Sequence, residues 1–144
     1  MEKWKMKRIY IVILILLAGC TDKRQQALGK SRELLDKIAA GTAIQEFPEK
    51  YFPRDQTVVL MNQLQNNCDF KDRQGNFIND FYERNSEAPD RVSFIYEYYL
   101  KWDSLRFIIT YNLGPEIELY RFRIESIKKD NNMILKPERR LKWQ

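Results

Sequence analysis

Arg91-Val92-Ser93-Phe94-Ile95-Tyr96-Glu97-Tyr98-Tyr99-Leu100-Lys101-Trp102 is the stretch whose reading decides the fold. Val92, Phe94, Tyr96 and Tyr98 fall on one side of a period-2 pattern, with Ile95 and Tyr99 on the other. Branched and aromatic side chains suit a pleated surface, so residues 91–102 are expected to form the strongest strand. Asp103-Ser104 is a tight turn, after which Leu105, Phe107, Ile109, Tyr111 and Leu113 alternate with Arg106, Ile108, Thr110 and Asn112. Leu113-Gly114-Pro115-Glu116 turns the chain again. A strand over 117–127 then places Tyr120, Phe122 and Ile124 opposite Arg121, Arg123 and Glu125. On the N-terminal side, residues 77–82 form a short, weakly alternating strand, set off by a polar, proline-bearing loop over 85–90. The sum is an antiparallel meander of about four strands.

Upstream of the meander the period becomes helical. Ala27, Leu28, Ser31, Leu34, Leu35 and Ile38 make one stripe, Glu33 and Lys37 pair at i,i+4, and Gly41 suits the position just past a helix end. Pro48 and Pro53 then limit any helix to a turn or two, leaving Ile44, Phe47, Tyr51 and Phe52 as apolar plugs. Asp55 is placed to cap a helix over 56–67, whose inward face carries Leu60, Met61, Leu64 and Cys68. Helices followed by an antiparallel meander predict an α+β domain over 27–127, with the helices on one face of the sheet. Residues 128–144 read as a charged, loosely ordered tail apart from 133–135.

The formal charge of +5 is unevenly placed. Residues 1–19 hold four basic residues and one acid; 128–144 hold six basic residues and two acids; 20–127 are left near neutral, at −2. A nucleic-acid site needs a basic face on the domain, so nucleic acid is set aside as a partner. The chain has no histidine, which removes the commonest general base and zinc ligand and any Ser-His or Cys-His pair. Its five glycines do not gather into a phosphate loop. Glu116 and Glu118, beside a turn, read as a solvated strand edge. No catalytic, cofactor or metal residues are assigned.

Residues 1–19 carry a cationic start (Lys3, Lys5, Lys7, Arg8), an apolar run from Ile9 to Leu17 and small residues at its end. This is the pattern of a secretory signal peptide, and the run is too short to cross a membrane. It closes with Leu17-Ala18-Gly19-Cys20, which resembles the lipobox of bacterial lipoproteins. The resemblance implies cleavage between Gly19 and Cys20, diacylglycerol on the Cys20 thiol, usually a further acyl chain such as palmitate on the new amino terminus, and a short tether over 20–26. The expected location is a bacterial cell membrane, lipid-anchored, facing the periplasm or the exterior. Cys68 is then the one other cysteine, and it reads as a small buried hydrophobe rather than a reactive thiol.

From residue 27 to 127 the order of long helix, aromatic segment, second helix and meander is similar to the nuclear transport factor 2-like (cystatin-like) superfamily. That likeness implies a curved sheet wrapped into a cone around the helices. Members of the superfamily include isomerases and dehydratases as well as non-catalytic binding modules. Isomerase-like members use an acidic base with Tyr or Asp donors, and Tyr96, Tyr98, Tyr111, Trp102 and Asp103 have the chemistry. Tyr96, Tyr98 and Tyr111 are therefore candidate pocket residues, although tyrosine in a strand is ordinarily packing and Asp103 is explained by its turn. The leading functional expectation is a membrane-anchored, non-catalytic binding or assembly module of the cell envelope. The alternatives are a small enzyme with a hydrophobic ligand in the cone and an immunity-type protein that blocks a toxin. Expected partners are the membrane, through the lipid, and either an envelope protein or a second copy. The second copy is expected on the outer sheet face, because Ile95, Tyr99 and Ile108 fall there.

Overall fold

The computed structural model describes residues 22–101, 103–129 and 135–142, with side chains to Ile127 except that of Cys68. Residues 1–21, on which the expected leader and lipidation site fall, and Trp102 lie outside the described residues. The fold is α+β: helices pack on one face of an antiparallel sheet whose strands run in the order β1-β2-β3-β4-β5.

Helix α1, Lys23–Ala40, starts earlier than its apolar stripe because Asp22 caps it, accepting from the Arg24 backbone amide at 3.1 Å. Residues 23–26, expected as tether, are its first turn. At the far end Gly41 takes a left-handed φ of 77°, and its amide donates to the Ile38 carbonyl, as its position predicts. The stripe is buried: Ala27, Ser31, Leu34, Leu35 and Ile38. A 3-10 turn, Ile44–Glu46, follows, then Phe47 and Phe52, both buried and meeting edge to face at 5.1 Å.

Helix α2 is Arg54–Gln65. Its cap is Pro53, not Asp55, which sits in the first turn. Proline's fixed φ starts the helix two residues earlier, at Arg54 rather than Gln56, and the acid in its first turn complements the helix dipole. Leu60, Met61 and Leu64 face inward as expected. Helix α2 stops at Gln65, and a separate short helix α3, Cys68–Lys71, opens at Cys68, whose expected burial lies outside the described side chains. In α3 Phe70 is buried, and its amide is capped by Asn67 Oδ1 at 3.0 Å.

The strands are β1 Asn76–Glu83, β2 Arg91–Tyr99, β3 Ser104–Leu113, β4 Ile117–Lys129 and β5 Leu135–Lys142. Val92, Phe94, Tyr96 and Tyr98 of β2 and Phe107, Ile109 and Tyr111 of β3 are all buried on the helix side. On β4 the inward residue is Leu119 and not Tyr120. An irregularity between Thr110 and Tyr111 sets Tyr111 opposite Leu119 and Thr110 opposite Arg121, so Tyr120 is the extra residue. Tyr120 instead meets Tyr51 edge to face at 5.1 Å and lies 3.9 Å from the Arg91 guanidinium.

Two expectations are corrected. The sheet is open, with β1 and β5 as edges, and is not curled into a cone. The segment expected as a loose tail pairs with β4 as a fifth strand. Pro137 sits opposite Ile127, where the register shifts and the outermost strand can do without an amide donor. The helices contact β2, β3 and β4, and the core lies between them.

Candidate functional site

The three candidate pocket tyrosines are all buried on the helix side, at 2%, 3% and 4% exposure for Tyr96, Tyr98 and Tyr111. They stand on two adjacent strands but do different things. Ser31 Oγ donates to the Leu28 carbonyl at 2.7 Å, a bond to its own helix. Its single proton is thereby used, so in the 2.6 Å contact between Ser31 Oγ and Tyr96 Oη the tyrosine is the donor. Tyr96 is thus a tie between α1 and β2, and its one hydroxyl proton is committed. Burial raises its pKa.

Tyr98 packs against Phe70 and Phe107, with ring centroids 4.9 and 5.0 Å away. Burial pushes its hydroxyl up to about 12, and the charge of Asp36 adds to the rise. The Phe107 ring continues to Phe122 at 5.6 Å, and Phe122 to Phe47 at 5.4 Å. The space between helices and sheet is therefore occupied by a run of the chain's own aromatic rings.

Tyr111 lines a recess. The recess, of about 230 Å³, lies where α1, the 3-10 turn and the β3–β4 turn meet, and Lys30, Glu33, Glu46, Tyr111 and Glu118 line it. The Tyr111 ring is shut in, and burial raises its pKa further than that of Tyr98. Its hydroxyl makes no hydrogen bond among the described residues. The carboxylates around it are engaged elsewhere. Lys37 bridges Glu33 at 2.8 Å and Glu46 at 2.6 Å, and Lys50 pairs with Glu118 at 2.8 Å. The hydrogen bond from Lys37 holds the Glu33 carboxyl below its ordinary value. Glu118, expected as solvated strand edge, is half-buried at this rim.

Asp103 behaves as its turn requires. One oxygen accepts from the Ser104 amide at 2.8 Å and the other from Ser126 Oγ. Among the described residues no group of three acidic or cysteine side chains could hold a metal ion, and no helix is long and apolar enough to cross a membrane.

The outer face of the sheet holds the arrangement that spacing alone did not show. Register lines up Glu97, Arg106 and Glu125 across β2, β3 and β4. Arg106 donates to Glu97 Oε1 from Nη2 at 2.7 Å and Nε at 3.0 Å, and Tyr99 Oη donates to Glu97 Oε2 at 2.7 Å. Arg106 also lies 3.9 Å from Glu125, and Arg123 lies 3.4 Å from the same carboxylate. Both glutamates are about 95% buried, and Arg140 of β5 is next in the row by register. Further along, Ser93 meets Thr110 at 2.8 Å and Arg91 donates to Asn112 at 3.0 Å. The apolar residues of this face include the cross-strand pair Ile95 and Ile108, Phe81 of β1 opposite Ser93, and Tyr99 at the end of β2. The signal in the sequence was the alternation of charge at outward positions, but which charges meet depends on pairing.

Comparison of the chain with protein-family models, with curated proteins and with solved structures finds no match.

Proposed function

We propose that the chain is a lipid-anchored, non-catalytic binding or assembly module of a bacterial cell envelope. The anchor half of this reading rests on Leu17-Ala18-Gly19-Cys20 at the end of a cationic and apolar leader. The observation that carries the other half is the filled interior. Phe47, Phe70, Phe94, Phe107 and Phe122 are each at most 1% exposed where a ligand chamber would lie, and the Tyr96 proton is already donated. A chain built this way presents its surface to partners, because an enclosed ligand needs a concave, mostly apolar site. The order of helices and meander supports kinship with nuclear transport factor 2-like proteins, while the open sheet departs from their hollow cone. The alternative, a small enzyme, has the unpartnered Tyr111 hydroxyl in its favour.

The anchor is tested by mass spectrometry of the membrane fraction. The expected chain begins at Cys20 and carries acyl mass. Stable attachment takes more than one chain, at about 0.8 kcal/mol per buried methylene. Cys20→Ala should leave the leader uncut or the protein in the soluble fraction. A Cys20→Ala protein that still takes up lipid label sinks this half. Turnover of an isomerase or dehydratase substrate that disappears with Tyr111→Phe sinks the other.

A further inference from the structure

Among the described residues, four of the six exposed large apolar side chains lie on one strand, β1: Phe77, Ile78, Phe81 and Tyr82, the others being Val59 and Tyr99. That strand is a sheet edge, and among the described residues nothing pairs with its outer side. Its backbone donors and acceptors there form a template for another strand. Edges are ordinarily blunted by lysine, proline or a bend. The other edge, β5, follows this rule with Pro137, Lys136, Arg139, Arg140 and Lys142. β1 reads Asn-Phe-Ile-Asn-Asp-Phe-Tyr-Glu, with no proline or cation, and its one irregularity, between Phe77 and Asn79, leaves residues 79–83 regular.

We propose that β1 pairs antiparallel with β1 of a second copy, centred on Phe81, so that two sheets join edge to edge. The choice of occupant and register follows from the residues. Directly opposed side chains of an antiparallel pair lie on the same face, so a two-fold pairing must set one residue opposite itself. A centre at Asn79 draws the irregular Phe77–Asn79 step into the ladder. A centre at Asp80 opposes two carboxylates. A centre at Tyr82 runs past the end of the strand at Glu83. Phe81 opposes ring to ring, with Asp80 against Tyr82 and Asn79 against Glu83, so no like charges meet head-on. Asp80 is moreover already neutralised by Arg24, whose Nε donates to it at 2.6 Å. Phe81 is the most exposed large apolar residue among those described, at 58%, and this contact covers it.

The contact goes beyond the anchor reading and does not depend on it, since it is read in whichever fraction holds the protein. The full chain carrying Cys68→Ser and Phe81→Cys is oxidised mildly in intact cells, with a short thiol-to-thiol crosslinker used in parallel. The expected product is a species of twice the monomer mass, and the disulfide form reverts with reductant, because opposed Cβ atoms lie about 4.5–5.5 Å apart. Val59→Cys, equally exposed on α2, and Cys68→Ser alone should stay monomeric. Phe81 is exposed, so its replacement leaves the core intact, and Phe81→Lys in the otherwise native chain should abolish dimer trapped by amine crosslinking. A product of any other mass, or monomer alone from Phe81→Cys, overturns the proposal. Crosslinking through Ile108→Cys in place of Phe81→Cys also overturns it, because the second copy would then sit on the sheet face.

Discussion

Gly75 is a position where one methyl group should be felt. An ideal Cβ there would lie 2.7 Å from Cζ of Tyr98 and 2.8 Å from its Cε2 and Oη. Carbon atoms pack at about 3.5–4.0 Å, so the ring would have to retreat by roughly 0.8 Å or more. It has nowhere to go, being 3% exposed and held between Phe70 and Phe107. Overpacking of this kind costs about 1–3 kcal/mol. Against that stands a gain of about 0.4–1 kcal/mol, because alanine restricts the unfolded chain and Gly75 has no positive φ to lose. The net expectation for Gly75→Ala is a loss of about 1–2 kcal/mol. The assay is urea unfolding of protein beginning at Thr21, since the buried core among the described residues runs from Ala27 to Ile127. The same substitution is then made in a Tyr98→Leu background, where the obstructing ring is gone. There the penalty should vanish or reverse, giving a coupling that a double-mutant cycle reads directly. Equal penalties in both backgrounds would refute the steric account.

Two further outcomes follow from buried polar groups. Glu97→Ala should cost about 2–4 kcal/mol, since it removes the acceptor of both Arg106 hydrogen bonds and leaves that guanidinium only the more distant Glu125 carboxylate at 3.9 Å; the Glu97→Leu/Arg106→Leu pair should unfold at a urea concentration closer to that of the native chain than either single change does. For alkaline pH, burial raises Tyr98 to about 12 and Tyr111 in the same direction, so the folded protein holds these protons more tightly than the unfolded chain does. Their contribution is complete below a pH of about 10 and is lost as pH rises toward 12 and beyond, so urea midpoints should fall across that window. Tyr98→Phe should make the fall shallower, and an unchanged slope would count against the assignment.

What the sequence determined by itself was whatever rests on local periodicity. The alternation in 91–99 and 104–113 placed Val92, Phe94, Tyr96, Phe107 and Ile109 inside, the stripe from Ala27 to Ile38 placed α1, and Gly41 marked its end. These are readable because side-chain direction follows the backbone repeat. Tertiary structure decided what depends on which strands meet and where register slips. A single irregularity at Thr110–Tyr111 exchanges Tyr120 for Leu119 in the core. Lys136, Pro137 and Arg139 look like a solvated tail in one dimension, yet those residue types are what an edge strand tolerates, and β4 supplies the partner. The surroundings of each candidate tyrosine likewise depend on packing: Tyr96 meets Ser31, Phe70 and Phe107 enclose Tyr98, and Tyr111 lines a recess. The row of Glu97, Arg106 and Glu125 spans 29 positions of chain and comes together only through two strand pairings. Its charges are 9 and 19 residues apart in sequence, and no local pattern selects those partners, because register is set by turns and bulges elsewhere.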